Sequence, residues 1–183
     1  VGNSHSKDFY NVLHFSNNGK DKIQLARYGT NISQIDESFF HSKNYIASDI
    51  VVFVSLLSKD DLSTLDGIIK NILSDNKKVV LFSSIFQKFP REFVTQLDKL
   101  IYPYLESKDI HSASSKINDF YTKSYLNNDW INDERSLFSI YEISELERIS
   151  KKYDITLLNR MDYVCINNRC DVVSNQMGKL FYD

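Results

Sequence analysis

The stretch "SDIVVFVSLLSKDDLSTLDGIIKNILSDNKKVVLFS" (48–83) constrains the fold more than any other part of the chain. "DIVVFVS" is a continuous β-branched run, the pattern of a strand buried on both faces of a parallel sheet. Ser58 and Asp61 follow at capping-box spacing, where each side chain satisfies an otherwise orphaned backbone N–H. Leu62, Leu65, Ile69 and Ile72 then recur on one helical face. "KKVVLFS" (77–83) supplies the next strand. Two hydrophobic strands joined by one amphipathic helix define a βαβ unit, which commits the chain to a parallel sheet with covering helices.

The same rhythm extends along the chain. "HSKDFYNVLHF" predicts a helix with Phe9, Val12 and Leu13 inward, and "KIQLARY" (22–28) a weaker strand. Pro90 suits the first turn of a helix carrying Phe93, Leu97 and Leu100. "NDERSLFSIYEISELERISKKY" reads as a long helix, acidic at its start and closed by Lys151 and Lys152 as the macrodipole favours. "DITLL" (154–158) is a further strand. The expected fold is a three-layer αβα, doubly wound, mainly parallel α/β domain over 1–183. Residues 104–130 break the rhythm and are expected to form a partly helical insertion.

Composition narrows the function classes. A net charge of -2 and no long basic stripe give no reason to expect nucleic acid. No apolar run approaches the roughly 20 residues of a membrane span. Five glycines and two prolines disfavour a Gly-rich phosphate loop. Cys165 and Cys170 in "CINNRC" have no second cysteine pair or nearby histidine with which to hold zinc. They are either two free thiols or a local disulfide. The polar Asn-Asn-Arg tip suits a stapled hairpin, which would imply an oxidising compartment.

"VGNSHSKDFY" is ordinary turn-and-cap chemistry taken alone, yet it places Ser4 at a helix N-terminus on the carboxyl edge of the sheet. A serine there has its own N–H and the helix dipole available to an oxyanion, but it needs a base. "VGNSHSKDFYN" resembles the first block of the SGNH hydrolases, and looks most like SGNH domains attached to bacterial acyltransferase-3 type membrane O-acyltransferases. The likeness continues through "RYGTNIS", the strand and helix of 48–73, and "MDYVCINNRCDVVSNQMGKLFYD", which is similar to the tail where a cysteine-bracketed hairpin leads into Asp-x-x-His.

The resemblance implies a flavodoxin-like SGNH fold, with Ser4 as nucleophile and Asp183 orienting a histidine three positions beyond it. The chain then reads as a fragment truncated at both ends, with Val1 closing a first strand. The Ser4 and Gly29 amides would form the oxyanion hole. The implied activity is acyl transfer to hydroxyls of a cell-envelope sugar polymer, without metal or organic cofactor. It would take place outside the cytoplasm, fused to or working with a membrane acyltransferase domain. A free-standing esterase and a non-catalytic carbohydrate-binding or docking module are the alternatives.

Two departures matter. Asn3 replaces the usual aspartate, and Leu57 stands where the family supplies an oxyanion-binding asparagine. Losing one such donor costs roughly 3 to 4 kcal/mol, unless Ser55 or Ser58 substitutes or the backbone serves alone. Of the four histidines, His5 would point away along the helix start, His14 lies late in that helix, and His41 and His111 are expected in loops. The pairs Asp60-Asp61 and Glu145-Glu147 read as solvated helix faces. Phe39-Phe40 and the group Tyr121, Tyr125 and Trp130 read as packing rather than a sugar platform.

Overall fold

The computed structural model describes residues 1–16, 24–55, 57–83, 110–127, 134–171 and 173–174. The chain divides into two compact units, Val1–Ser84 with Glu142–Leu158, and Ile85–Tyr141 with Asn159–Asp183. The Pro90 helix lies outside the described residues.

The first unit is built on a parallel three-stranded sheet of β1 (Ile50–Phe53), β2 (Lys78–Phe82) and β3 (Thr156–Leu158), in the order β1-β2-β3. Val51 pairs with Val79 and Phe53 with Leu81, while Val80 pairs with Thr156 and Phe82 with Leu158. Buried and half-buried residues alternate along the strands: Val51, Phe53, Val79 and Leu81 are buried, whereas Val52 and Val80 are only partly so. Ile50, expected within a strand buried on both faces, is 50% exposed.

Helix α4 (Lys59–Ser74) connects β1 to β2, and its capping box forms as the spacing predicts. Leu65, Ile69 and Ile72 are fully buried, with Leu62 and Ile68 beside them. Burying a Leu or Ile side chain contributes roughly 1.5–3 kcal/mol, so this stripe is what holds the helix to the sheet. Asn76, in the left-handed region at φ 57, ends the helix and turns the chain into β2.

Helix α1 (Ser4–Ser16) packs Phe9 on Phe82, ring centroids 4.8 Å apart. Val12, expected inward, is 61% exposed, and the sheet contact is made by Phe9. Short helices α2 (Glu37–Phe40) and α3 (Lys43–Ile46) surround Phe39, whose ring meets Tyr28, Phe40 and Tyr45 at 4.8–5.1 Å. Phe39 is 3% exposed, as the packing reading expects.

In the second unit, α5 (Ile110–Asn127) is a continuous helix. His111 is therefore helical, not in a loop as expected. Ala113, Ser114, Ile117, Asn118 and Tyr121 are buried along one stripe. Helix α6 (Glu134–Tyr153) begins in this unit and enters the first at Glu142, where Glu142, Leu146 and Ile149 are buried.

After β3 come the short helix α7 (Met161–Val164) and an antiparallel hairpin of β4 (Cys165–Ile166) and β5 (Arg169–Cys170). Asn167 and Asn168 both take positive φ, 51 and 62, as a two-residue hairpin turn demands. Cys165 and Cys170 face each other across it and are disulfide-bonded, Cα–Cα 3.9 Å.

Candidate functional site

Gly2 anchors the stretch that carries Ser4. Its φ is +140, and a Cβ there would lie 2.1 Å from the Val54 carbonyl oxygen, so only glycine fits. Val1 donates to Val52 O at 2.6 Å, and Val54 N donates to Val1 O at 2.9 Å, flanking Phe53 as in a parallel pair. On the other side Gly2 N donates to Tyr28 O and Thr30 N donates to Gly2 O, both at 3.2 Å, making a parallel bridge to Gly29. The hydrogen-bonded order is therefore 28–30, then 1–2, then β1, β2 and β3. Of the strand expected over 22–28, the described residues 24–28 form none, and the pairing made on this side is the bridge at Gly29.

Helix α1 starts at Ser4, immediately beyond that bridge. The N–H groups of its first turn have no intrahelical acceptors and lie at the positive end of the helix dipole. The turn is held by two side chains that the sequence alone does not single out. Ser6 is buried, and its hydroxyl lies 2.7 Å from both Gly2 O and Asn3 O. Arg27 Nε donates to Ser6 Oγ at 3.0 Å and Arg27 Nη2 to Asn3 O at 3.0 Å. The only available signal for Ser6 is a hydroxyl in the first helical turn; nothing local marks Arg27.

Gly29 lies beside this turn, and its lack of a side chain has a definite use. A Cβ on Gly29 would meet Arg27 Nη1 at 2.6 Å and Cζ at 2.9 Å, so the glycine gives the guanidinium room to fold back. In a parallel bridge the central residue turns its own amide to the side opposite its partner. Tyr28 O and Thr30 N face Gly2, which leaves the Gly29 N–H directed away from Gly2.

Leu57 is 5% exposed and offers no donor from its side chain. Of the two substitutes, the Ser58 hydroxyl is engaged in the capping box, donating to Asp61 Oδ2 at 2.8 Å and accepting from Asp61 N at 3.1 Å. Ser55 is buried, and its Cβ is among the atoms nearest the position a Gly2 Cβ would take. Of the two, Ser55 is thus the one that lies against Gly2.

Asp61 corrects the solvated-face expectation, because it is 2% exposed. Besides Ser58, it accepts the Ser33 N–H at 2.7 Å, tying a short 3-10 turn (Ile32–Gln34) to α4. Burial pushes its carboxyl up, but the Ser33 and Ser58 donors outweigh this and hold it below the usual carboxylate range. Its role is structural.

Gly2, two residues before Ser4, thus bridges to Gly29 and lies against Ser55. Asp183 lies outside the described residues. His14 is on α1, stacked on Tyr10 at 5.8 Å, and His41 follows the last residue of α2. Glu145 pairs with Arg148 at 3.0 Å. Tyr121 is buried, and Trp130 lies outside the described residues.

In the second unit, Asn118 clasps the chain beyond the disulfide. Its amide donates to Val173 O and accepts from Val173 N, both at 3.1 Å. Thr122 Oγ1 accepts from Cys170 N at 2.9 Å. Among the described residues no group of three or more His, Cys, Asp or Glu is arranged to hold a metal, and no helix is long and apolar enough to cross a membrane. Comparison with known protein families, with curated proteins and with solved structures finds no match to this chain.

Proposed function

We propose that the chain is an SGNH-like serine acyl-transfer domain of flavodoxin-like topology, with Ser4 as its nucleophile. The observation that carries this reading is the hydrogen-bonded order of the segments, with 1–2 between 28–30 and β1. In chain order this is 2-1-3-4-5, whose ligands bind where the order reverses, between the first and third segments. Ser4 begins its helix two residues past Gly2, at that point.

In the proposed reaction, Ser4 Oγ attacks the carbonyl carbon of an acyl ester and gives its proton to a histidine base. The resemblance puts that base three positions beyond Asp183, which would orient it. The Ser4 N–H holds the developing oxyanion. Collapse expels the donor alcohol, which takes the proton back, and leaves an acyl-serine. A hydroxyl of an envelope sugar polymer, deprotonated by the same base, then takes the acyl group and restores Ser4. The Cys165–Cys170 disulfide supports a place outside the cytoplasm, and the membrane acyltransferase partner rests on the resemblance alone. A free-standing esterase is the same chemistry with water as acceptor.

The test uses the full-length protein and a chromogenic acyl ester such as 4-nitrophenyl acetate. Ser4→Ala is expected to abolish turnover, and a fluorophosphonate to label the native protein at Ser4. Undiminished turnover in the variant removes Ser4 from the mechanism. The buried Leu57 favours a second reading, a non-catalytic carbohydrate-binding module. That reading expects oligosaccharide binding with neither ester turnover nor labelling.

A further inference from the structure

We infer that Arg27 is a positioning residue for the oxyanion donor at Ser4, acting through the Asn3–Ser4 peptide; this rests on the acyl-transfer reading of Ser4. The Asn3 carbonyl is the other end of the peptide unit that carries the Ser4 N–H. Cis peptide bonds are absent among the described residues, so in this planar trans unit the N–H points opposite to the carbonyl. Whatever fixes Asn3 O therefore fixes the direction of the Ser4 N–H.

Asn3 O accepts from the Ser6 N–H at 3.1 Å and from Arg27 Nη2 at 3.0 Å, and the Ser6 hydroxyl, whose one proton is shared with Gly2 O, lies 2.7 Å from it. Two of these are local to the turn and move with it. Arg27 comes from the neighbouring segment, and Nε fastens the same guanidinium to Ser6 Oγ. One planar cation thus grips the carbonyl and the hydroxyl that supports it, a two-point hold that lysine's single ammonium lacks. A charge-assisted bond to the carbonyl also polarises the peptide, which makes the N–H at its other end a stronger donor. The space for this arrangement is reserved by Gly29, where any side chain would meet the guanidinium. This gives Gly29 a part in the site even though its amide faces away from Gly2.

Arg27→Ala in the full-length protein is the test, read with 4-nitrophenyl acetate and with a trifluoromethyl ketone whose serine adduct carries the oxyanion. We expect kcat to fall about tenfold, less than the 10²–10³ seen when an oxyanion donor is deleted, with KM changed by less than about twofold. Ketone affinity should fall by the same factor as kcat/KM. Millimolar guanidinium should restore part of the loss, and Arg27→Lys should fall between the two.

A folded Arg27→Ala protein with wild-type kcat and ketone affinity overturns the inference. So does a loss confined to KM. Should that variant not fold, Arg27→Lys and Ser6→Ala each remove one arm of the hold, and wild-type kcat in both would be equally fatal. Ser4→Ala separates the two levels. Turnover surviving in Ser4→Ala sinks the acyl-transfer reading itself, whereas turnover lost there and kept in Arg27→Ala sinks only the role of Arg27.

Discussion

Among the described residues, the two units are fastened differently around β1–β2 and around the hairpin. In the first, β1, α4 and β2 bury a stripe of aliphatic side chains, with Leu65, Ile69 and Ile72 fully excluded from water. In the second, α5 grips the hairpin and the chain after it through polar side chains bonded to backbone, Asn118 to Val173 and Thr122 to Cys170, beside a disulfide. Aliphatic burial scales with area and tolerates repacking. A polar clasp depends on the donors and acceptors staying in register, because an unmade buried bond costs about 1–3 kcal/mol. Loss of an aliphatic side chain is thus expected to be felt in the core of the first unit, and loss of a clasp bond at the hairpin it holds.

The largest expected effect tests the aliphatic side of that contrast. Ile69→Ala should cost about 3 kcal/mol, read as a lower urea midpoint, with unchanged hydrogen exchange at Val173. Replacing Cys165 and Cys170 by serine should cost about 2 kcal/mol for so short a loop, and should raise exchange in β4 and β5 while leaving β1 and β2 protected. Asn118→Ala should cost about 1–2 kcal/mol and speed exchange at Val173. If the disulfide or Asn118 change loosened α4 as much as β5, the distinction between the units would collapse.

The smallest effect is one of pH. Asp61 has its carboxyl held down in the folded state, so its contribution is present above the unfolded value near about 3.9 and lost as pH falls through the folded value. The stability gap between the native protein and Asp61→Asn should therefore be flat at neutral pH and close below about pH 4. A gap independent of pH would mean that Asp61 acts by shape and not by charge.

The same contrast explains what could be read in advance. The βαβ unit was legible because helical period, β-branched runs and capping-box spacing are local signals, and Ser58, Asp61 and the Leu62–Ile72 stripe carry them within a few residues. The Asn-Asn hairpin between its cysteines was legible for the same reason. The burial of Asp61 was not, because its deciding partner, Ser33, comes from another segment. Neither was the hold of Arg27 on Asn3, nor that of Asn118 on Val173: each joins residues that no sequence period relates. At the candidate site, Ser4 and Gly29 could be singled out by motif, while Ser6 and Arg27 emerge only once the two segments are side by side.

The register of β2 with β3 has a kinetic consequence. Phe82 and Leu158 are neighbours in the sheet, yet the chain between them includes 85–141 of the second unit. Closing so long a loop carries an entropy cost that the short β1–α4–β2 circuit avoids. We expect β1, α4 and β2 to form the folding nucleus and β3 to dock after the rate-limiting step. In stopped-flow refolding, Ile69→Val should then slow folding, whereas Leu157→Ala should chiefly hasten unfolding. The reverse pattern would place β3 in the nucleus and make the long crossover the first thing the chain closes.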